Sequence, residues 1–228
     1  MNKILLLLIL TSVFASSYSQ KKSSNSDSFE QANNKYHNAL KYLDYHTAIS
    51  AVHDILLIAP EKTMYKDSLL ILYFNNNQSL SAVLLAKELE LEGNTSKNVL
   101  EVLAISFQNA GQLKKSLSYY EKLNTQDNSL FYMYQIAVIQ YSMSRISECT
   151  QTLTKIIEDP NSSKETVKIE YENNPSQQVP FSAAAYNILG VLSLNLNNNE
   201  VAKQYFENAL KIFPEFLLAK SNISAGIK

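Results

Sequence analysis

The chain has 228 residues, and its 20 Lys and Arg against 21 Asp and Glu leave a formal net charge of −1. It therefore has no basic surplus with which to hold nucleic acid. Its 46% hydrophobic content suffices for a continuous core, and its four Gly and five Pro suit a helical array. So few glycines also exclude a dinucleotide-binding or phosphate-cradling loop by pattern.

The first residues predict a secretory leader. Lys3 gives a charged start, residues 4–14 are almost all apolar, and Ser17 and Ser19 supply small residues before a cleavage site. The run is shorter than the roughly 20 residues that cross a bilayer, so no membrane span is expected in the mature chain. We expect a leader over residues 1–19, cleavage between Ser19 and Gln20, and export to the periplasm, outer membrane or medium. A retained signal anchor is the alternative.

Next comes a polar, low-complexity stretch, residues 20–28, which predicts a flexible spacer. Four helical hairpins are predicted after it, at residues 29–61, 62–96, 97–129 and 130–160. Each holds two stripes of apolar residues at helical spacing with a polar break between them, as where Gly111 divides the third. Cys149 lies on the second stripe of the fourth hairpin and is expected to be buried.

Residues 161–181 interrupt this series. Val167, Ile169 and Tyr171 alternate with charged residues in the two-residue rhythm of a strand, and residues 173–176 are strong turn formers. The segment predicts a small β-hairpin inserted into the helical array, with a disordered loop as the alternative.

The last hairpin, residues 183–216, carries the clearest motif. Its packing positions hold Tyr186, Leu189, Gly190, Ser193, Ala202, Phe206, Ala209 and Pro214. This pattern resembles one full tetratricopeptide repeat, from which only Ser193 departs. The resemblance implies an all-α fold over residues 29–228, a right-handed superhelix of about five helical hairpins. Residues 217–228 are apolar at helical spacing and predict a helix that caps the array.

Groups that could perform chemistry are few. The three histidines, His37, His46 and His53, all fall in the first hairpin, and their spacing lacks the close helical pair of a metal site. We therefore expect no enzyme activity, cofactor or metal. A metal-dependent enzyme that uses these histidines is the remote alternative.

The resemblance implies instead that the first helices of the hairpins line a groove that binds a protein or peptide. The family's pattern places eight candidates there: Tyr73, Phe74, Gln108, Phe131, Tyr134, Tyr141, Asn187 and Asn195. For the aromatic residues, packing between repeats is the alternative. Some relatives grip a carboxylate in this groove, but only Lys66 stands in a suitable place, with Leu70 where an Asn is expected.

These features predict a non-catalytic scaffold or adaptor of the bacterial cell envelope. A structural subunit of an outer-membrane or periplasmic assembly is the alternative. The predicted hairpin offers a second mode of binding, in which its edge accepts an extended peptide strand.

Overall fold

The computed structural model describes residues 26–171 and 175–226. The predicted leader and cleavage site lie outside these residues, so both remain predictions. In the described part, α1 spans residues 26–41 and is followed by α2 (Tyr45–Ile58), α3 (Met64–Asn75), α4 (Ser79–Leu91), α5 (Lys97–Asn109), α6 (Leu113–Asp127), α7 (Leu130–Ser142), α8 (Ile146–Glu158), β1 (Thr166–Ile169), β2 (Gln177–Pro180), α9 (Phe181–Asn195), α10 (Asn199–Ile212) and α11 (Leu217–Gly226).

The helices follow one another as the five predicted hairpins plus a final helix. Two boundaries differ from expectation. Helix α1 begins at residue 26 and so includes the last three residues of the predicted spacer. Helix α9 begins at Phe181, the last residue of the predicted insertion. Among the described helices, none is both long and apolar enough to cross a membrane.

The turn inside each hairpin has the same backbone geometry. One residue in each adopts a positive φ: Leu43 (55°), Asn77 (57°), Gly111 (68°), Ser144 (58°) and Asn197 (57°). The next residue caps the second helix, and the side chains of Asp44 and Asn198 accept bonds from the backbone N–H groups of Thr47 and Val201. A residue with a positive φ followed by the N-cap of the next helix reverses the chain direction within a few residues. The two helices of a hairpin can therefore pack directly against each other.

The chain forms two compact units, with a boundary inside α5 between Val102 and Leu103. In the first unit, the core lies between α1, α2 and α3, with Val52 and Leu69 among its buried residues. In the second unit, one core joins α7, α8, α9 and both strands. Phe216 and Ala219 are buried in that same core, so α11 packs on the last hairpin as the cap that the sequence predicted.

The inserted segment is an antiparallel hairpin, which confirms that prediction. Val167 pairs with Val179, and both are buried in the core of the second unit. Pro180 lies opposite Thr166 at the end of the ladder. Because the Phe181 N–H donates to the Glu165 carbonyl, the alternation of the ladder makes the Thr166–Pro180 pair a non-hydrogen-bonded one. Proline is tolerated there because no N–H is needed.

Helices α9 and α10 pack closely because small residues lie at their interface. A Cβ atom at Gly190 would overlap the ring of Phe206, which is fully buried. Ala202 and Ala209 are also fully buried. Ser193 is buried too, and its hydroxyl donates to the Leu189 carbonyl within its own helix. That bond satisfies the hydroxyl, so the one departure from the repeat pattern leaves no unpaired polar group in the core.

Candidate functional site

The eight predicted groove residues fall in different units. Tyr73 and Phe74 lie on α3 in the first unit, and the other six lie in the second. Both α3 residues are half-buried, and the Tyr73 hydroxyl is 2.8 Å from Nε2 of His53. Gln108 is half-buried near the end of α5. A groove that uses all eight residues therefore remains a prediction.

Helix α7 presents a stripe in which Phe131, Tyr134, Val138 and Tyr141 follow one another at helical spacing. Phe131 is exposed and the other three are half-buried. The ring of Tyr134 packs edge-on against Phe181, with 5.9 Å between the centroids. Burial, and secondarily the nearby Tyr171 phenol, raises the pKa of Tyr134 to about 12. Tyr134 and Tyr141 both pack against the core of the second unit, and the ring of Tyr134 also meets α9 at Phe181.

Helix α9 presents a matching stripe of Asn187, Val191, Leu194 and Asn195. Asn195 Nδ2 donates to the Tyr141 hydroxyl of α7 across 3.3 Å. Asn222 Nδ2 of α11 donates to Asn187 Oδ1 across 2.9 Å. These two bonds place α7, α9 and α11 side by side with the stripes on one surface. We call this surface the α7–α9 face; its members are Tyr134, Val138, Tyr141, Asn187, Val191, Leu194 and Asn195.

The α7–α9 face is uncharged. Neither α7 nor α9 contains a single Asp, Glu, Lys or Arg. Half-buried Val138, Val191 and Leu194 give it apolar area, and carboxamides stand beside them. Asn187 is buried, and its Oδ1 accepts from Asn222, whereas Asn195 is exposed. Such a surface fits apolar side chains and main-chain amides, and it has no cation with which to grip a carboxylate or a phosphate.

The inserted hairpin leads into Tyr171, which lies close to Tyr134 of the α7–α9 face. Tyr171, just beyond β1, donates its hydroxyl to Gln177 Oε1 at 2.6 Å. Gln177 in turn donates to the Glu215 carbonyl at 2.6 Å and accepts from the Leu217 N–H at 3.0 Å. These bonds tie the hairpin to the segment that leads into α11.

Sequence reasoning missed three residues here: Tyr171, Gln177 and Asn222. The alternation through Val167 and Ile169 already placed Tyr171 on the inward side of the strand. For Gln177 and Asn222 the sequence held no signal, because their partners lie 40 and 35 residues away.

Groups for catalysis do not converge in the described part of the chain. No three His, Cys, Asp or Glu side chains gather there as a metal ion would require. His37, His46 and His53 are all exposed. Cys149 is fully buried, its Sγ donates to the Ala137 carbonyl at 3.3 Å, and burial raises the pKa of the thiol to about 11. A thiol in that setting is a packing group, because its nucleophilic thiolate form is disfavoured.

Comparison with known proteins agrees with the hairpin architecture. Residues 183–216 match the family model described as tetratricopeptide repeat. Among solved structures, YrrB, described as a TPR protein with an unusual peptide-binding site, aligns with a TM-score of 0.68 at 13% identity, covering 91% of this chain and 97% of its own. The MamA protein aligns with a TM-score of 0.63 at 13% identity, covering 87% and 95%.

A further MamA structure, from Desulfovibrio magneticus RS-1, aligns with a TM-score of 0.62 at 12% identity, over 84% of this chain and 98% of that one. No curated protein matches the chain. At these identities the likeness shows the fold alone. The predicted all-α, tetratricopeptide-like fold with a small β-hairpin insertion is therefore confirmed.

Proposed function

We propose that this protein is a non-catalytic scaffold that binds an uncharged, extended segment of a partner protein on the α7–α9 face. The observation that carries the proposal is the composition of that face: two adjacent helices without a charged residue, with half-buried apolar side chains between carboxamides. Proteins rarely leave such a surface without a use, because apolar area gains free energy when a partner removes it from water.

The carboxamides suit a main chain. An Asn side chain offers a carbonyl acceptor and an N–H donor like those of the peptide unit. The exposed Asn195 can accept from a ligand N–H through its Oδ1 while its Nδ2 donates to the Tyr141 hydroxyl. Val191 lies one helical turn from both carboxamides and Val138 lies one turn from Tyr141, and both would receive the ligand's apolar side chains. YrrB, which has the same fold, is described as having a peptide-binding site.

A ligand with a terminal carboxylate fits less well. The one lysine that the sequence marked for such a role, Lys66, lies in the first unit and already pairs with Glu88 at 2.8 Å and Glu92 at 2.7 Å. Its charge is therefore satisfied within the protein. The partner segment that we propose is accordingly internal or neutral, with apolar side chains.

The place of action that we propose is outside the cytoplasm, in a bacterial cell envelope, because the sequence of residues 1–19 predicts a secretory leader. Mass spectrometry of the N-terminus after expression in a bacterial host tests this part. A mature chain that begins at Gln20 is expected, and a chain that retains Met1 in the cytoplasm would contradict it.

A panel of fluorescent, extended peptides tests the binding proposal by polarisation. Neutral peptides with alternating Val or Leu should bind, and Val191→Lys should weaken binding by roughly tenfold or more, because it buries a charge in the contact. The matched control is Gln151→Lys, which adds the same charge on the exposed side of α8. Equal binding by the wild type and Val191→Lys, or a preference for acidic peptides, would contradict the proposal.

Binding of an extended partner segment along the edge of β1 is a second candidate function, and the register between β1 and β2 favours it. The alternation set by Phe181 and Glu165 turns the backbone N–H and C=O groups of Thr166 and Lys168 away from β2. An extended ligand could bond to them. Lys168→Pro removes one outward N–H without touching the bonds to β2, so it should abolish this mode alone. Deleting the hairpin would be a poorer test, because Val167 and Val179 belong to the core.

A further inference from the structure

Helix α11 is held in place by few buried side chains. It has 10 residues, fewer than the roughly 12–15 that a helix needs to be stable by itself in water. Among residues 217–225, the part of α11 whose exposure the structure describes, only Ala219 is buried. The large buried anchor is Phe216, which lies just before the helix. Apolar burial by α11 itself therefore contributes little to keeping the helix folded and docked.

The inserted hairpin provides a cap for α11. Leu217 is the first residue of the helix, so its N–H has no partner within the helix. Gln177 Oε1, on β2, accepts a bond from that N–H at 3.0 Å, and Gln177 Nε2 donates to the Glu215 carbonyl at 2.6 Å. A capping side chain normally lies next to its helix in the sequence, whereas Gln177 is 40 residues away. The first turn of α11 thus depends on the hairpin.

Helix α11 also occupies one end of the polar stripe on α9. Asn222 of α11 donates its Nδ2 to Asn187 Oδ1, and Asn187 is only 6% exposed. At the other end of the same stripe, Asn195 is exposed. One of the two carboxamides of the α7–α9 face is therefore already bonded to a helix of the chain itself.

We propose that α11 is a lid over Asn187 and that Gln177 is the positioning residue that keeps this lid closed. When α11 undocks, Asn222 leaves, and the Asn187 carboxamide can bond to a ligand on the α7–α9 face. Phe216 stays in the core of the second unit and acts as the hinge. A ligand that bonds to Asn187 binds only the open form, so closure lowers its apparent affinity. The effect on affinity rests on the proposed function, whereas the lid does not.

Hydrogen–deuterium exchange of protein expressed from the full-length sequence tests the lid. Gln177→Leu has a similar size but loses both bonds, so the amides of α11 should exchange roughly tenfold faster while those of α10 stay unchanged. Gln178→Leu is the matched control. Gln178 is the next residue of β2 and is exposed, and its Oε1 accepts from the Thr166 hydroxyl. Its replacement should leave exchange in α11 as in the wild type.

Asn222→Ala provides a second variant, in α11 itself and away from the hairpin. It leaves Asn187 Oδ1 without its partner, so exchange in α11 should again rise, by about threefold or more. Equal exchange of α11 in Gln177→Leu and Gln178→Leu would overturn the lid. Faster exchange that spreads equally through α9 and α10 in both Gln177→Leu and Asn222→Ala would also overturn it, because the whole unit would then be opening.

Polarisation with the neutral, Val- or Leu-rich peptides tests the effect on binding. A side chain that only supports the fold would weaken binding when it is removed. Gln177→Leu should instead tighten binding by about threefold or more, because the open form is more populated. Adding Asn187→Ala should remove this gain. Weaker or unchanged binding by Gln177→Leu would overturn the role of the lid in binding. If no peptide bound to any variant, the proposed function would fail, and exchange alone would support or overturn the lid.

Discussion

Replacing Gly190 with alanine tests the closest contact between two helices in the second unit. In an exposed helix, Gly→Ala stabilises a protein by up to about 1 kcal/mol, because alanine is the better helix former. At Gly190 the added Cβ meets three carbon atoms of the Phe206 ring. That ring is fully buried, so it has no open space into which to move.

The two effects oppose each other, so their relative sizes decide whether Gly190→Ala raises or lowers the free energy of unfolding. Overpacking a well-packed core costs about 1–3 kcal/mol. Since the gain in helix propensity is at most about 1 kcal/mol, we expect Gly190→Ala to lower the free energy of unfolding by about 1–2 kcal/mol. Urea unfolding followed by far-ultraviolet circular dichroism measures this change.

A double-mutant cycle identifies the cause. Phe206→Leu removes part of the ring that the new Cβ would meet, and alone it is destabilising because it leaves a void. In the double variant the alanine methyl group fills part of that void. The double variant should therefore be more stable than the sum of the single effects by about 1 kcal/mol or more. A Gly190→Ala variant as stable as the wild type, or additive effects in the cycle, would refute the close contact.

Two further predictions concern a buried phenol and a strained turn. Burial raises the pKa of Tyr134 from 10.0 to about 12, so the stability it contributes is complete below pH 10 and is lost as the pH rises towards 12. Between these pH values the wild type should lose about 2 kcal/mol more than Tyr134→Phe in urea titrations, and parallel curves would contradict this. Leu43 is exposed and has a φ of 55°, a strained conformation that glycine adopts freely. Leu43→Gly should therefore stabilise the first unit by up to about 1 kcal/mol, whereas Leu84→Gly, within a regular helix, should destabilise it by about as much.

Much of the local structure follows from short-range sequence patterns. The helical hairpins could be predicted because apolar residues recur at three and four residues and polar breaks separate them. Thus Asn77, Gly111 and Asn197 each lie in a break that the structure shows as a left-handed turn. The inserted hairpin was predictable for the same reason, since the alternation at Val167 and Ile169 has the period of a strand.

The candidate site was less predictable, because a helical position on the inner side of a repeat can be packed or open. Tyr134 and Tyr141 are seven residues apart on one stripe. Tyr134 packs against Phe181 and lies beside Tyr171, whereas the Tyr141 hydroxyl accepts from Asn195. What distinguishes them is the neighbour that each side chain meets, which their spacing on one helix does not specify.

The sequence by itself determined the periodic elements, the small residues at helix contacts such as Gly190, and the burial of Cys149. Each of these features depends on residues that are close together in the sequence. Only the tertiary structure decided that Gln177 binds Glu215 and Leu217, 38 and 40 residues away, and that Asn187 meets Asn222. Many side chains along a repeat array could satisfy the same hydrogen bonds. The choice among them depends on how neighbouring helices pack, which no short-range pattern specifies.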